Sequence, residues 1–398
     1  MMTKDQGKHQ QIKVALLGTG IFATSCSFPT IRKLSDKFKL VAVWSRKKES
    51  VESFINKHID EESKDTMPSY FGNKGLEQIL HSETLAVDAV VMALPFSAQA
   101  AFIQAALEAG KHVLSEKPIA PTIESAQKLV DLYDEINRKR WQQSLTSTLQ
   151  WSVAENFRYE PGIERVARAI ENSEIGLPTL FSLILRLPFK PDNKYLHTEW
   201  RAKPVWYGGL MPDVFVHSTA LLRRVFSATH EPKQVSSVTT STADHIPSID
   251  TMSATMSFGP HQNKDNNDDG NTSHLHGTVS LSFACTHVRY ELEVVGTKGS
   301  ILLQRKTKAG DTPGYSVTMM DENGKEKLKE DYNYGGIDRE FIAFANACYS
   351  RGRNESIDPS TKDSDFGDLN TPLEAMRDIE LVEACLKSGK DNGKPVVL

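Results

Sequence analysis

Four stretches of the chain combine residue types and spacings that suit chemistry. Gly18-Thr19-Gly20-Ile21-Phe22-Ala23 reads GxGxxA directly after an apolar run at 11–17. In such a turn the first glycine permits the tight bend and the second lets the backbone approach a pyrophosphate. The small third position lets the following helix pack on the strand, and the N–H groups at that helix start hold phosphate oxygens. The pattern alone is weak. On the first strand of a strand–helix series it points to a dinucleotide.

The adenosine ribose should lie about 20 residues past the glycines. The sequence there is Trp44-Ser45-Arg46-Lys47-Lys48, with no acid to accept from a 2′-hydroxyl. A hydroxyl followed by an arginine suits a 2′-phosphate, and the guanidinium can also stack on adenine. The competing reading makes Ser45 a helix cap with solvated cations beside it. Local chemistry favours NADP over NAD as cofactor.

Ser115-Glu116-Lys117-Pro118 closes another apolar run. A lysine at the carboxyl end of a parallel strand can approach both nicotinamide and a substrate oxygen; the plain alternative is a surface turn. In PDVFVHSTALLRRVF, Asp213 and His217 are four residues apart, so a helix puts both on one face about one turn apart. Pro212 and the preceding Gly208-Gly209 place them at the start of that helix. Histidine titrates in the range useful for proton transfer in alcohol–ketone interconversion. A capping aspartate beside an interior histidine is the alternative.

These residues need elements to hold them. Apolar runs at 11–17, 39–46, 87–94 and 112–118 predict buried parallel strands. Helical patterns at 21–34, 48–58, 98–110 and 122–140 alternate with them, and MPSYFGN reads as a turn. Alternation of this kind predicts βαβ units, hence a Rossmann-type parallel sheet over 1–155 ending at LQWSVAEN. From 156 to 398 the pattern changes. TLFSLILRL, KQVSSVTTST, TMSATMSF, GTVSLSF, RYELEVVG, SILLQR and YSVTMM are strand-like, several with polar–apolar alternation. Helical segments are expected at 161–171, 211–226, 336–350 and 371–387. The expectation is an α/β chain whose C-terminal α+β domain carries a large, mostly antiparallel open sheet. One sheet face, bearing Leu281, Phe283 and Val294 or their neighbours, would serve a homodimer or homotetramer. The polar insertion at 261–274 reads as a hairpin loop; its histidines and aspartates lack the fixed geometry of a metal site.

Composition narrows the classes. In 398 residues, 39% hydrophobic and 25% charged, there is enough apolar matter for a core and too much for disorder. No run of ~18 apolar residues is present, so no membrane span is expected. The start, MMTKDQGKHQQ, has no apolar signal segment. A net charge of −4 without a basic stripe disfavours nucleic acid. Four widely spaced cysteines suit reduced thiols of a cytoplasmic protein.

Taken together, GxGxxA, SEKP at 115–118, AENFRYEP at 154–161, Trp200-Arg201, Gly208-Gly209 and the Asp213-xxx-His217 spacing resemble the glucose–fructose oxidoreductase/inositol dehydrogenase (Gfo/Idh/MocA) family. So does the ending EAMRDIELVEACLKSGKDNGKPVVL. The resemblance covers nearly the whole chain. It implies an oxidoreductase passing a hydride between NAD(P) and a sugar, polyol or similar small alcohol or carbonyl. It further implies Lys117, Asp213 and His217 as catalytic residues, with Leu94, Pro95, Glu116, Trp200 and Arg201 beside the cofactor. Asn156 and Tyr207 would join Lys117, Asp213 and His217 at the substrate, Tyr207 as a phenolic proton donor or as packing. Val214, Phe215 and Val216 are bulkier than the glycines of many relatives and would narrow the pocket. Two other functions compete: a non-catalytic dinucleotide-binding regulator of the same fold, and redox-assisted glycosidase chemistry needing a tightly held NAD. Retention of Lys117, Asp213 and His217 argues against the first, and Ser45-Arg46 against the second.

Overall fold

The computed structural model describes residues 10–64, 67–143, 148–203, 209–260, 274–308, 310–352 and 368–398. The chain forms two compact units. The first runs to Glu155 and takes in Ile337–Met376; the second comprises Asn156–Gly336 and Arg377–Leu398. The stretch 337–376, read from sequence as part of the C-terminal domain, thus joins the first unit. Its helix, Gly336–Gly352, puts Phe341, Phe344, Ala345 and Cys348 into the same apolar cluster as Val14, Leu16, Phe38 and Val91. Hydrophobic burial there outweighs chain order.

Among its described residues the first unit is built on six parallel strands: β1 (Ile12–Leu17), β2 (Phe38–Ser45), β3 (Ser69–Phe71), β4 (Ala89–Met92), β5 (His112–Glu116) and β6 (Trp151–Ala154). Their order is β3-β2-β1-β4-β5-β6. The order reverses between β1 and β4, and open α/β sheets bind ligands outside the strand ends at that switch. β1 and β4 are apolar almost throughout and nearly wholly buried because helices cover both faces. β3 stands where a turn was expected. Three residues carry no readable period; pairing with β2 makes it a strand. The helix after β1 contains a π-turn at Ala23–Ser27, with the Phe28 N–H bonded to the Ala23 carbonyl. Pro29 follows and has no N–H to give, which accounts for the slipped register. The helix Ile123–Gln142 starts on a capping box between Thr122 and Ser125.

Among the described residues the second unit holds nine strands: β7 (Pro178–Arg186), β8 (His230–Thr240), β9 (Thr251–Pro260), β10 (Leu275–Ser282), β11 (Arg289–Gly296), β12 (Gly299–Arg305), β13 (Gly314–Asp321), β14 (Glu326–Asn333) and β15 (Val396–Val397). The order is β14-β13-β12-β11-β7-β10-β9-β8-β15, with only β7 and β10 parallel. Strict alternation dictates the two faces. Phe181, Leu183, Val279, Leu281, Leu292 and Val294 are buried, while Leu180, Val238, Ser253, Thr255, Thr278 and Ser280 point to the opposite, accessible side. Of the two sets weighed for the open face, Leu281, Phe283 and Val294 are core residues, and their neighbours form the open one. β14, with sequence EKLKEDYN, escaped the sequence reading because an exposed hairpin strand needs no apolar residues.

Candidate active site

The first unit carries a cleft of about 600 Å³ over the turn from β1 into its helix and the end of β2, lined by Gly18, Thr19, Gly20, Ser45, Arg46, Leu94 and Pro95. That size lies within the range of ligand sites. Gly18 has φ +110°, and a Cβ there would lie 2.4 Å from the Ala93 carbonyl oxygen. Only glycine tolerates both the dihedral and the approach. At Gly20 the space a Cβ would enter is open, with no atom within 4 Å. This is the cradle a pyrophosphate needs. Ile21, Phe22 and Ala23 follow into the helix, with Ala23 fully buried against the core.

Ser45 ends β2, and Arg46 is exposed beside it. Trp44 anchors this end by burying its ring and donating from Nε1 to the Gly72 carbonyl at 2.8 Å. Sequence reading missed the far wall of the cleft. The helix Lys48–His58 contributes Glu49, Ser50, Ser53, Lys57 and His58, and Thr24 faces them. Spacings of three and four in 46–58 are the signal that would have found them. Arg46 and Lys57 outnumber Glu49, so the wall is net positive for an anion.

Glu116 closes β5 and Lys117 follows, half-buried, with a cis bond to Pro118. Gln99, fully buried, donates to the Glu116 carbonyl at 3.0 Å, which fixes the peptide that presents Lys117. Parallel pairing of β1, β4 and β5 puts this lysine on the same sheet edge as the glycine turn.

In the second unit, the helix Leu210–Phe226 starts at Gly209, whose φ of 104° again requires glycine. Asp213 lies in its first turn, and His217 one turn later. Asp213 Oδ2 accepts from Arg201 Nε at 3.1 Å and Nη2 at 2.7 Å, in a largely buried ion pair. Arg201 Nη1 also donates to Thr198 Oγ1 at 3.1 Å, and its guanidinium lies 5.3 Å from the Tyr195 ring centroid. The pair fastens the 193–202 segment to the helix start, a contact between Arg201 and Asp213 that was not read from sequence. Trp200 belongs to the short helix Glu199–Ala202; its side chain, with Tyr207 and Gly208, lies outside the described residues, as does 261–273.

Asn156 opens a 3-10 turn, Asn156–Tyr159, and donates from Nδ2 to Glu160 Oε1 at 3.2 Å. Glu160 Oε2 accepts the Gly335 N–H at 3.2 Å. Arg158 is buried on Asp378, which also takes Arg223 Nη1 at 2.6 Å. Phe157 stacks on the His217 ring. The tripeptide NFR gives no periodic signal, and the partners of Phe157 and Arg158 lie 60 and 220 residues away along the chain.

Comparison with known proteins places this geometry. Residues 12–142 match the profile described as "Oxidoreductase family, NAD-binding Rossmann fold", and 163–302 match the GFO/IDH/MocA C-terminal domain. A relative from Fusarium mangiferae, dehydrogenase FPY6, is 30% identical over 96% of this chain and 97% of its own. The chain belongs to the Gfo/Idh/MocA oxidoreductase family. Another relative of this family member, YMR315W of Saccharomyces cerevisiae, is also 30% identical over 96% of this chain and 97% of its own. Among solved structures, an inositol dehydrogenase homolog from Azotobacter vinelandii complexed with NAD+ superposes with a TM-score of 0.76. It is 17% identical, each chain is fully covered, and the shared property is the fold. Both the Rossmann sheet and the large, mostly antiparallel second sheet are therefore those of the family. No described helix is long and apolar enough to cross a membrane.

Proposed function

We propose that the chain is an NADP-dependent oxidoreductase acting on a sugar, polyol or similar small alcohol or carbonyl. The observation that carries the cofactor choice is the cleft wall: Ser45 and Arg46 at the end of β2, with Lys57 behind them and no acid on the strand end itself. A charge-assisted contact from Arg46 suits a 2′-phosphate. Glu49, in the first helical turn, is the competing feature, since a carboxylate there favours the 2′-hydroxyl of NAD.

The glycine turn would hold the pyrophosphate, with Leu94 and Pro95 against the cofactor, and Glu116, Lys117, Trp200 and Arg201 completing the contacts. When bound, the nicotinamide supplies or accepts the hydride. His217 exchanges the proton of the substrate hydroxyl, and Lys117 stabilises negative charge on that oxygen. Asp213, charged and fixed by Arg201, orients the start of the helix that bears His217 and binds substrate polar groups with Asn156 and Tyr207. The working protein is a homodimer or homotetramer assembled on the open sheet face, and its site is cytoplasmic.

A panel of sugars, polyols and diketones against NADP(H) and NAD(H), followed at the nicotinamide absorbance, tests the reading. Turnover with at least one compound and a preference for NADP(H) are expected. Cofactor binding without turnover would instead favour a non-catalytic regulator.

A further inference from the structure

We propose that Phe157 is a positioning residue that holds the His217 imidazole in one plane for proton exchange; this rests on the acid–base reading of His217 given above. The two rings stack with centroids 4.7 Å apart and planes within 22°. An imidazole on a helix turns about two side-chain bonds, and a stacked aromatic face restricts both. Phe157 is itself immobilised. Its ring packs on Tyr290 at 5.9 Å, and Tyr290, 3% exposed, packs in turn on Tyr315 at 6.2 Å. Along the chain it is flanked by Asn156, bonded to Glu160, and by Arg158, buried on Asp378. Held by Tyr290 and by its anchored chain neighbours, the Phe157 ring sets the plane in which the His217 ring nitrogens lie, and reaction rate is steep in such placement.

The test uses the full chain with ring-labelled histidines and NADPH, the His217 resonance being assigned by its loss in His217→Gln. The ring current of Phe157 shifts that resonance upfield. Phe157→Leu should move it downfield and lower kcat roughly 10- to 100-fold while the NADPH Kd stays within about threefold. Phe157→Tyr, which keeps the aromatic face, should restore both readouts. Turnover is measured with NADPH and the most active carbonyl compound of the panel above. If Phe157→Leu unfolds, as its Tm would show, Phe157→Met carries the same comparison. A resonance unmoved by loss of the ring overturns the inference, as does a lost stack with unchanged kcat beside an inactive His217→Gln. Full turnover by His217→Gln would overturn the acid–base reading itself, and this inference with it.

Discussion

Arg46 and His217 are the residues on which the proposed chemistry turns, and each has a discriminating substitution. A charge-assisted contact contributes about 1.5–3 kcal/mol, or roughly tenfold or more in affinity. Arg46→Ala should therefore weaken NADPH at least tenfold and NADH little, read by fluorescence titration of each. Equal loss of both would make Arg46 a structural or adenine-stacking residue, and the cofactor preference would pass to Lys57 and Glu49. His217→Gln should lower kcat by roughly 10²–10⁴ with NADPH affinity nearly intact. A core role predicts another result: an unfolded variant that no longer binds cofactor. Half-burial of His217 in the second turn of the helix, beside a stacked ring, favours the first outcome.

At the scale of elements, the link between β8 and β9 is organised by one carboxylate. Asp250 is fully buried, and burial by itself would raise its pKa. The Ala243 and Thr242 N–H groups, each 2.7 Å from Oδ2, outweigh that effect, helped by the Thr251 and Thr242 hydroxyls on Oδ1. The net direction is down. A carboxylate whose folded pKa is depressed contributes stability above its unfolded value near ~3.9, lost as pH falls through the folded value. Asp250→Asn, which removes the charge and replaces one acceptor oxygen by an NH2 group, should cost about 1–3 kcal/mol at neutral pH. Urea midpoints should show this gap closing as the solution is acidified below about pH 4. A gap independent of pH would mean that the loop is held by packing and not by the charge.

Taken whole, the second unit presents an open sheet face that mixes serine and threonine with apolar residues: Leu180 is 50% and Val238 55% exposed. A flat, accessible surface of this kind is suited to a second copy of the chain. Light scattering should give a dimer or tetramer, and the double variant Leu180→Glu/Val238→Glu should shift it to monomer with NADPH binding retained. A monodisperse wild-type monomer at working concentration would reject assembly on this face.

What could be read from residue order alone is what depends on near neighbours. GxGxxA needs only a strand before it and a helix after it, and period-2 and period-3.6 patterns announce which face of an element is apolar. Thus the Rossmann sheet, the larger second sheet and the helical spacing of Asp213 and His217 were all legible. Contacts closed by the tertiary fold were not. Phe157 on His217, Arg201 on Asp213, Asp378 between two arginines and the membership of 337–376 in the first unit depend on segments distant in sequence. No local propensity marks such partners. They are selected by burial, which strongly favours pairing each charge and covering each apolar ring with whatever the completed fold brings near. For the same reason the choice between Leu281, Phe283 and Val294 and their neighbours for the open face stayed undecided in the sequence. Alternation says that two faces differ, but only the packed helices decide which of them is the core.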